Sequence, residues 1–267
     1  MDAALRCGSV WQVGSRRGQS TVVRVIVFDL DDTLYPERQY ALSAFAAAGQ
    51  FLEKTRGVAG LGESAASLFA QGARRNVYDL ALRSLGFAEE NGLVRELVEA
   101  HRHHAPAIAL SPDAERFISR AERSGFSLAL VSDGWLRTQE LKVEALSLSG
   151  RLNPVILTDI WGREHWKPSP RGFQAVMAQH SGLPAEYIYV GDNPAKDFIA
   201  PKALGWRTLR IRRPDGEHYR MEASTLAATA ESETTTLDAV DLGALATERI
   251  AVSPLGARAS SGDGWDN

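Results

Sequence analysis

The sequence predicts an α/β protein: a doubly wound parallel sheet with a small all-helical domain inserted after its first strand. Three observations carry this expectation. Short, almost continuously apolar runs alternate with helical patterns, as expected for strands covered on both faces. From Arg38 to about Pro106 that alternation stops, and only helical patterns remain. Several apolar runs also end abruptly in carboxylates, and the carboxyl ends of parallel strands are where open α/β sheets bind ligands.

Taken in order, residues 1–21 lack sustained periodicity and are expected to form a disordered extension. "VVRVIVFDL" (22–30) reads as the first strand. The all-helical insertion spans 37–106, interrupting a core made of 22–36 and 107–250. Within it, "RQYALSAFAAAGQFLEKTRG" puts Phe45 and Leu52 on one face, and "NVYDLALRSLG" offers Asn76 as N-cap and Gly86 as stop. "EENGLVRELVEAHRHH" then spaces Leu93, Leu97 and His101 as a helix does.

Strands resume with "FSLALVSD" (126–133), "PVILTD" (154–159), "YIYVGD" (187–192) and "WRTLRI" (206–211), with a weaker "SETTTL" at 232–237. Before the first of these, Ser111 stands as N-cap, Pro112 at the first helical position and Gly125 as terminator. Ser169, Pro170 and Gly182 repeat that grammar. The βαβ alternation implies a Rossmann-like sheet. Residues 251–267, rich in Ser, Gly and Ala, are expected to be a disordered tail.

Composition excludes several functions. The chain has 267 residues, 44% hydrophobic and 24% charged, with a formal net charge of −3. No basic field announces a nucleic-acid polymer. Its single cysteine, Cys7, excludes an internal disulfide framework or a cysteine-based zinc site and suits a reducing compartment. No apolar stretch is long enough to cross a bilayer, and a cytoplasmic protein without membrane partners is expected. Oligomeric state is left open, a homodimer included.

The strand ends carry the chemistry. Asp29 and Asp31 are two residues apart and point the same way in extended backbone. Asp192, with Asp197 five residues on, joins them from another strand end. Carboxylates this close raise one another's pKa unless a cation compensates. An all-oxygen, carboxylate-rich site suits Mg²⁺, which commonly bridges carboxylates and a substrate phosphate. Lys167 adds a positive charge, and Ser132 with Asp133 adds a hydroxyl beside backbone N–H groups.

These segments resemble the four motifs of the haloacid dehalogenase (HAD) superfamily. "DLDDT" (29–33) is similar to the first, "VSDG" (131–134) to the second, Lys167 before Pro168 to the third and "GDNPAKD" (191–197) to the fourth. The likeness covers roughly residues 22–240 in the right order. It implies an Mg²⁺-dependent phosphatase acting on a small phosphate ester through an aspartyl-phosphate, with the insertion as a helical cap. Asp29 would be the nucleophile and Asp31 the acid and base. Thr33 would hold the motif loop through hydrogen bonds, and Ser132, Asp133 and Lys167 would receive the phosphoryl group. Magnesium would be held by Asp29, the Asp31 carbonyl and Asp192. Asp197 would orient Lys167 or a metal-bound water, or merely cap a helix. The sequence departs from the motif at Asp32, where glycine is common, which could alter loop stiffness. Asp31 itself favours phosphate esters, since carbon–halogen cleavage needs no proton donor there.

Two rivals remain. A phosphomutase would return the phosphoryl group from Asp29 to substrate, and a phospho-accepting signalling domain would keep it. Outside the motifs, His101, His103 and His104 cannot share one helical face and are expected at a solvated helix end. Trp161 and Trp166 are expected to pack, and Arg74, Arg75 and Asn76 are the insertion's candidates for substrate contact.

Overall fold

The computed structural model describes residues 23–87 and 92–246, so the expectations for 1–21 and 251–267 lie outside the described residues. Six strands pair side by side: β1 (Val25–Phe28), β2 (Ser127–Ser132), β3 (Val155–Leu157), β4 (Tyr187–Gly191), β5 (Arg207–Ile211) and β6 (Ser232–Thr234). Their order is β3-β2-β1-β4-β5-β6, with every neighbouring pair parallel. Each coincides with a strand candidate read from the sequence, the weak sixth included.

Both faces are covered, which is why the runs are continuous rather than alternating. Ile26 and Phe28 point into one cluster with Phe117, Leu130 and Val190. Val25 and Val27 point into the other with Ala129, Phe173 and Tyr189. The covering helices are α5 (Pro112–Arg123), α6 (Leu136–Ala145), α7 (Arg171–Gln179) and α8 (Ile199–Ala203), with α9 (Leu242–Leu245) closing the described chain. In α5, Ala114, Phe117, Ile118 and Ala121 recur at helical spacing, and all four are buried.

Helix starts follow the sequence in place more than in mechanism. Ser111 occupies the N-cap of α5 but makes no side-chain capping bond. α7 begins at Arg171 with Pro170 in the cap position, one residue later than Ser169 suggested. The Ser169 hydroxyl still accepts the Arg171 N–H, at 3.4 Å.

Between β1 and β2 lie only helices: α1 (Glu37–Arg56), α2 (Leu61–Ala70), α3 (Val77–Ser84) and α4 (Leu93–His103). They carry a separate apolar cluster that includes Phe45, Leu52, Leu61, Tyr78, Leu82 and Leu97. α1 and α2 approach so closely that a Cβ on Gly49 would stand 2.8 Å from the Gly62 nitrogen. Glycine at this crossing is a steric requirement.

Because β1 lies between β2 and β4, residues just past Phe28, Leu130 and Val190 converge. That edge of the sheet holds Asp29, Ser132 and Asp192.

Candidate active site

Asp29 continues β1 by one residue, its N–H donating to the Val190 carbonyl at 2.8 Å. The residue is 3% exposed. Lys167 reaches it from the loop before α7 and donates to the Asp29 carboxylate. The same ammonium lies 2.8 Å from Asp197 and 2.9 Å from the Tyr189 hydroxyl. Burial pushes the Asp29 carboxyl up to about 6, against the pull of Lys167. Burial works against the Lys167 charge too, but Asp197 and Asp29 outweigh it and hold the ammonium well above its ordinary range.

Asp192 follows Gly191 at the end of β4. Ligand oxygens of Asp29, Asp192 and Asp197 lie within 4.8 Å of one another. Burial, then repulsion from Asp197 and Asp29, drives Asp192 well above the usual carboxylate range. Asp197 is the exception in this trio: Lys167 and Lys196 outweigh its burial and keep it low. It also accepts the Asn193 N–H at 2.8 Å. Of the roles open to it in sequence, orienting Lys167 is the one the geometry provides.

The Asp31 side chain takes a separate path. Its Oδ1 receives Lys142 Nζ at 2.6 Å and the Tyr35 hydroxyl at 2.5 Å. Its Oδ2 receives the Gln139 amide at 2.9 Å. Burial would raise this carboxyl, but Lys142, Gln139 and Tyr35 together hold it below the ordinary carboxylate range. Asp29 and Asp31 of the first motif thus sit in different charge environments, Asp29 with Lys167 and Asp31 with Lys142.

The resemblance implied that Thr33 holds its loop through hydrogen bonds, and it is the backbone, not the hydroxyl, that makes them. The hydroxyl oxygen is buried with no hydrogen-bond partner among the described residues. Its carbonyl does that work instead, accepting Arg213 Nε at 3.1 Å and Nη2 at 2.7 Å. Arg213 is anchored in turn on Asp113, 3.1 Å away.

Asp32 stands at φ 53°, a left-handed conformation that glycine and aspartate tolerate best. Its two oxygens accept the Glu37 and Glu217 N–H groups, both at 2.8 Å. The departure from glycine therefore ties the motif loop to the start of α1 and to the loop after β5.

Ser132, 1% exposed, accepts the Gln139 amide at 3.0 Å. The Asp133 carboxylate accepts from the Thr158 hydroxyl at 2.7 Å and the Lys167 N–H at 3.1 Å. Its side chain holds the Lys167 loop. Gly134 has φ 135°, and a Cβ there would come within 2.8 Å of Gln139 Nε2. The sharp turn after β2 thus leaves room for Gln139 to reach Asp31.

A cavity of about 740 Å³ opens between the sheet edge and the inserted helices. From the core it is lined by Asp31, Asp133, Trp135, Gln139 and Lys142, and from the insertion by Phe45, Phe69, Arg74, Tyr78 and His101. Asp29, Ser132, Lys167 and Asp192 are buried and do not line it. Arg74 faces the cavity and pairs with Glu217 at 3.0 Å, whereas Arg75 and Asn76 do not line it.

The histidine run differs from expectation. His101 is not at a solvated end: its Nδ1 is 2.8 Å from the Tyr78 hydroxyl, and its ring packs edge-on to Tyr40 and Phe45. Burial, then repulsion by His104, lowers it to about 4, so it is neutral near pH 7. His104 contacts Ser43 at 2.9 Å, and His103 alone is exposed. Helical spacing placed Leu97 and His101 on one face, but polarity argued against burying the histidine. Trp166 donates to Asp159 at 3.1 Å, and Trp161 packs against Arg171. Both tryptophans are packing residues.

Lys142, Gln139 and Arg213 are the residues that sequence reasoning missed. The signal for the first two was a Gln and a Lys one helical turn apart, following the strand that ends in Ser132.

Comparison with known proteins agrees with this geometry. A family model described as a haloacid dehalogenase-like hydrolase matches residues 23–205. A phosphoserine phosphatase of Thermus thermophilus is 32% identical over 152 residues, covering 57% of this chain and 59% of that protein. A glyceraldehyde 3-phosphate phosphatase of Methanopyrus kandleri is 30% identical over 212 residues, covering 75% of this chain and 88% of the relative. A magnesium-bound HAD-hydrolase from Bacillus subtilis superposes with a TM-score of 0.56 at 18% identity, covering 81% of this chain and 96% of that one. At that identity the superposition speaks for the fold alone. On the family match and the relative at 30% identity, the chain belongs to the haloacid dehalogenase-like hydrolase family.

Proposed function

We propose that the protein is a magnesium-dependent phosphatase that hydrolyses a small phosphorylated metabolite through an aspartyl-phosphate on Asp29. The observation that carries this reading is the division of labour between two carboxylates. Asp29 is locked beside a buried ammonium at the end of β1, and Asp31 is turned toward the cavity under its own cation. The named activities of relatives support it: phosphatases of phosphoserine, glyceraldehyde 3-phosphate and ribulose 1,5-bisphosphate.

In this mechanism an Asp29 oxygen attacks phosphorus, and the bond to the leaving oxygen breaks as Asp31 supplies its proton. Asp31, now ionised, takes a proton from the water that cleaves the aspartyl-phosphate. Lys167 and the Ser132 hydroxyl stabilise the phosphoryl oxygens in both steps. Asp133 and Asp197 act at one remove, fixing the main chain and the ammonium of Lys167.

The residues fit a magnesium ion. Three carboxylates within 4.8 Å supply only oxygen, and burial, then repulsion from Asp197 and Asp29, raises the Asp192 carboxyl, with only Lys196 opposing it. Asp29 and Asp192, with the Asp31 carbonyl, would hold it, while Asp197 is committed to Lys167. When bound, the ion would neutralise these carboxylates and draw charge from the phosphoryl group. The four inserted helices serve as the cap, bringing Phe69, Tyr78 and Arg74 over the substrate.

The test is release of inorganic phosphate from a metabolite panel, with and without EDTA, in wild type and Asp29→Asn. We expect phosphate only from wild type and only with magnesium. An Asp29→Asn enzyme as active as wild type would sink the covalent mechanism. An isomeric ester in place of phosphate would assign a phosphomutase.

A further inference from the structure

We propose that Lys142 is a positioning residue for leaving-group protonation, holding the Asp31 carboxylate in its donating orientation and tying it to the cap. The proposal rests on the phosphatase reading above.

Lys142 lies on α6, 3% exposed, away from the Asp29, Asp192 and Asp197 group. Its ammonium is 2.6 Å from Asp31 Oδ1 and 4.2 Å from the ring centroid of Tyr40 on α1. Gln139, one turn earlier on the same helix, holds Oδ2 at 2.9 Å. Each oxygen of the carboxylate is therefore gripped from α6, with the Tyr35 hydroxyl adding a second hydrogen bond to Oδ1. That removes the rotation about its terminal bond that would otherwise swing the acid off the leaving oxygen. A buried ammonium is costly, and an apolar side chain of similar volume fills such a space at least as stably. Lys142 instead spends its charge on Asp31.

Tyr40 gives the arrangement its link to the insertion. Its ring covers the ammonium, and its hydroxyl donates to the His101 carbonyl at 3.2 Å, joining α1 to the end of α4. The cap thus touches the acid through Tyr40 and Lys142.

A leaving-group series separates this role from a merely structural one. A poor leaving group, such as a simple alkyl alcohol, needs the proton, whereas 4-nitrophenolate leaves without it. kcat/KM reports only the steps through transfer to Asp29, so slow breakdown of the phospho-enzyme does not blur the comparison. For Lys142→Met we expect kcat/KM on alkyl phosphates to fall by roughly 10²–10³, the usual range for lost general-acid catalysis. On 4-nitrophenyl phosphate it should fall by less than about tenfold. If Lys142→Met folds poorly, Lys142→Ala with added ethylammonium carries the same test, and the amine should restore alkyl-phosphate turnover at least several-fold. Equal losses on both esters, with no rescue by the amine, overturn the role of Lys142 and leave the phosphatase reading standing. A wild type inactive on both esters overturns that reading and the proposal with it.

Discussion

Removing the cation at Lys167 is the sharpest probe of the site. Lys167 Nζ is fully buried and lies 2.8 Å from Asp197, with a second hydrogen bond to Asp29. At an effective dielectric of about 20, one such contact is worth roughly 6 kcal/mol of attraction. Much of that is offset by taking the ammonium out of water, which costs several kcal/mol. Lys167→Met removes the attraction and leaves three carboxylates within 4.8 Å facing one another. Breaking a buried pair in this way costs about 3–5 kcal/mol, a large part of a domain's total stability. We expect that loss in urea unfolding at pH 7.5 with EDTA. It should shrink toward pH 5, because protonation of the trio relieves the repulsion. kcat/KM should fall by roughly 10²–10³, as when one oxyanion donor is removed. A Lys167→Met protein as stable as wild type at pH 7.5, with no pH dependence of the difference, would refute the account of Lys167 as the charge that holds the site together.

Two further predictions follow from local geometry. The His101 pKa is lowered from 6.5 to about 4, so the native state binds fewer protons than the unfolded chain between those values. Its contribution, at most about 3 kcal/mol, is complete above pH 6.5 and lost as pH falls toward 4; His101→Gln should flatten the urea midpoint over that window, and an unchanged slope would contradict it. Asp32, at φ 53°, should tolerate glycine better than alanine. Asp32→Gly loses two hydrogen bonds, about 1–3 kcal/mol, and Asp32→Ala adds about 1–2 kcal/mol of backbone strain; an alanine variant as stable as the glycine one would contradict that order in thermal unfolding.

How far the sequence went depended on whether a residue's role is local. Asp29, Ser132 and Asp192 were legible because a strand buried on both faces is a continuous apolar run, and its end is marked by the first polar residue. The insertion was legible for the converse reason, three helical patterns with no strand among them, although α2 between the first two was not read. Roles set by distant partners were not legible. Thr33 acts through its carbonyl because Arg213, 180 residues on, meets it there. Asp133 serves the Lys167 loop because that loop crosses the end of β2. His101 is half-buried because Tyr40, Phe45 and Tyr78 from two other helices close around it. Lys142 was hardest, since a lysine in an amphipathic helix ordinarily faces water, and only the turn of Asp31 toward α6 makes its burial intelligible.

The resting charges of the two motif carboxylates run opposite to the order that catalysis needs. Asp29, the proposed nucleophile, is pushed up to about 6 by burial, whereas Asp31, the proposed acid, is held below the usual carboxylate range by Lys142, Gln139 and Tyr35. A nucleophile must be ionised and an acid must carry its proton. Bound substrate and cation would reverse the order: positive charge beside Asp29 would favour its ionised form, and a phosphoryl dianion near Asp31 would favour the protonated one. In the proposed mechanism an ionised Asp31 is the form that the water step requires, and its protonation as substrate binds would serve the transfer step. Sharing one lysine between Asp29 and Asp31 would defeat this, because each proton shift would be felt by both carboxylates. Separate partners, Lys167 for one and Lys142 for the other, let the two residues titrate in opposite directions within three positions of the chain.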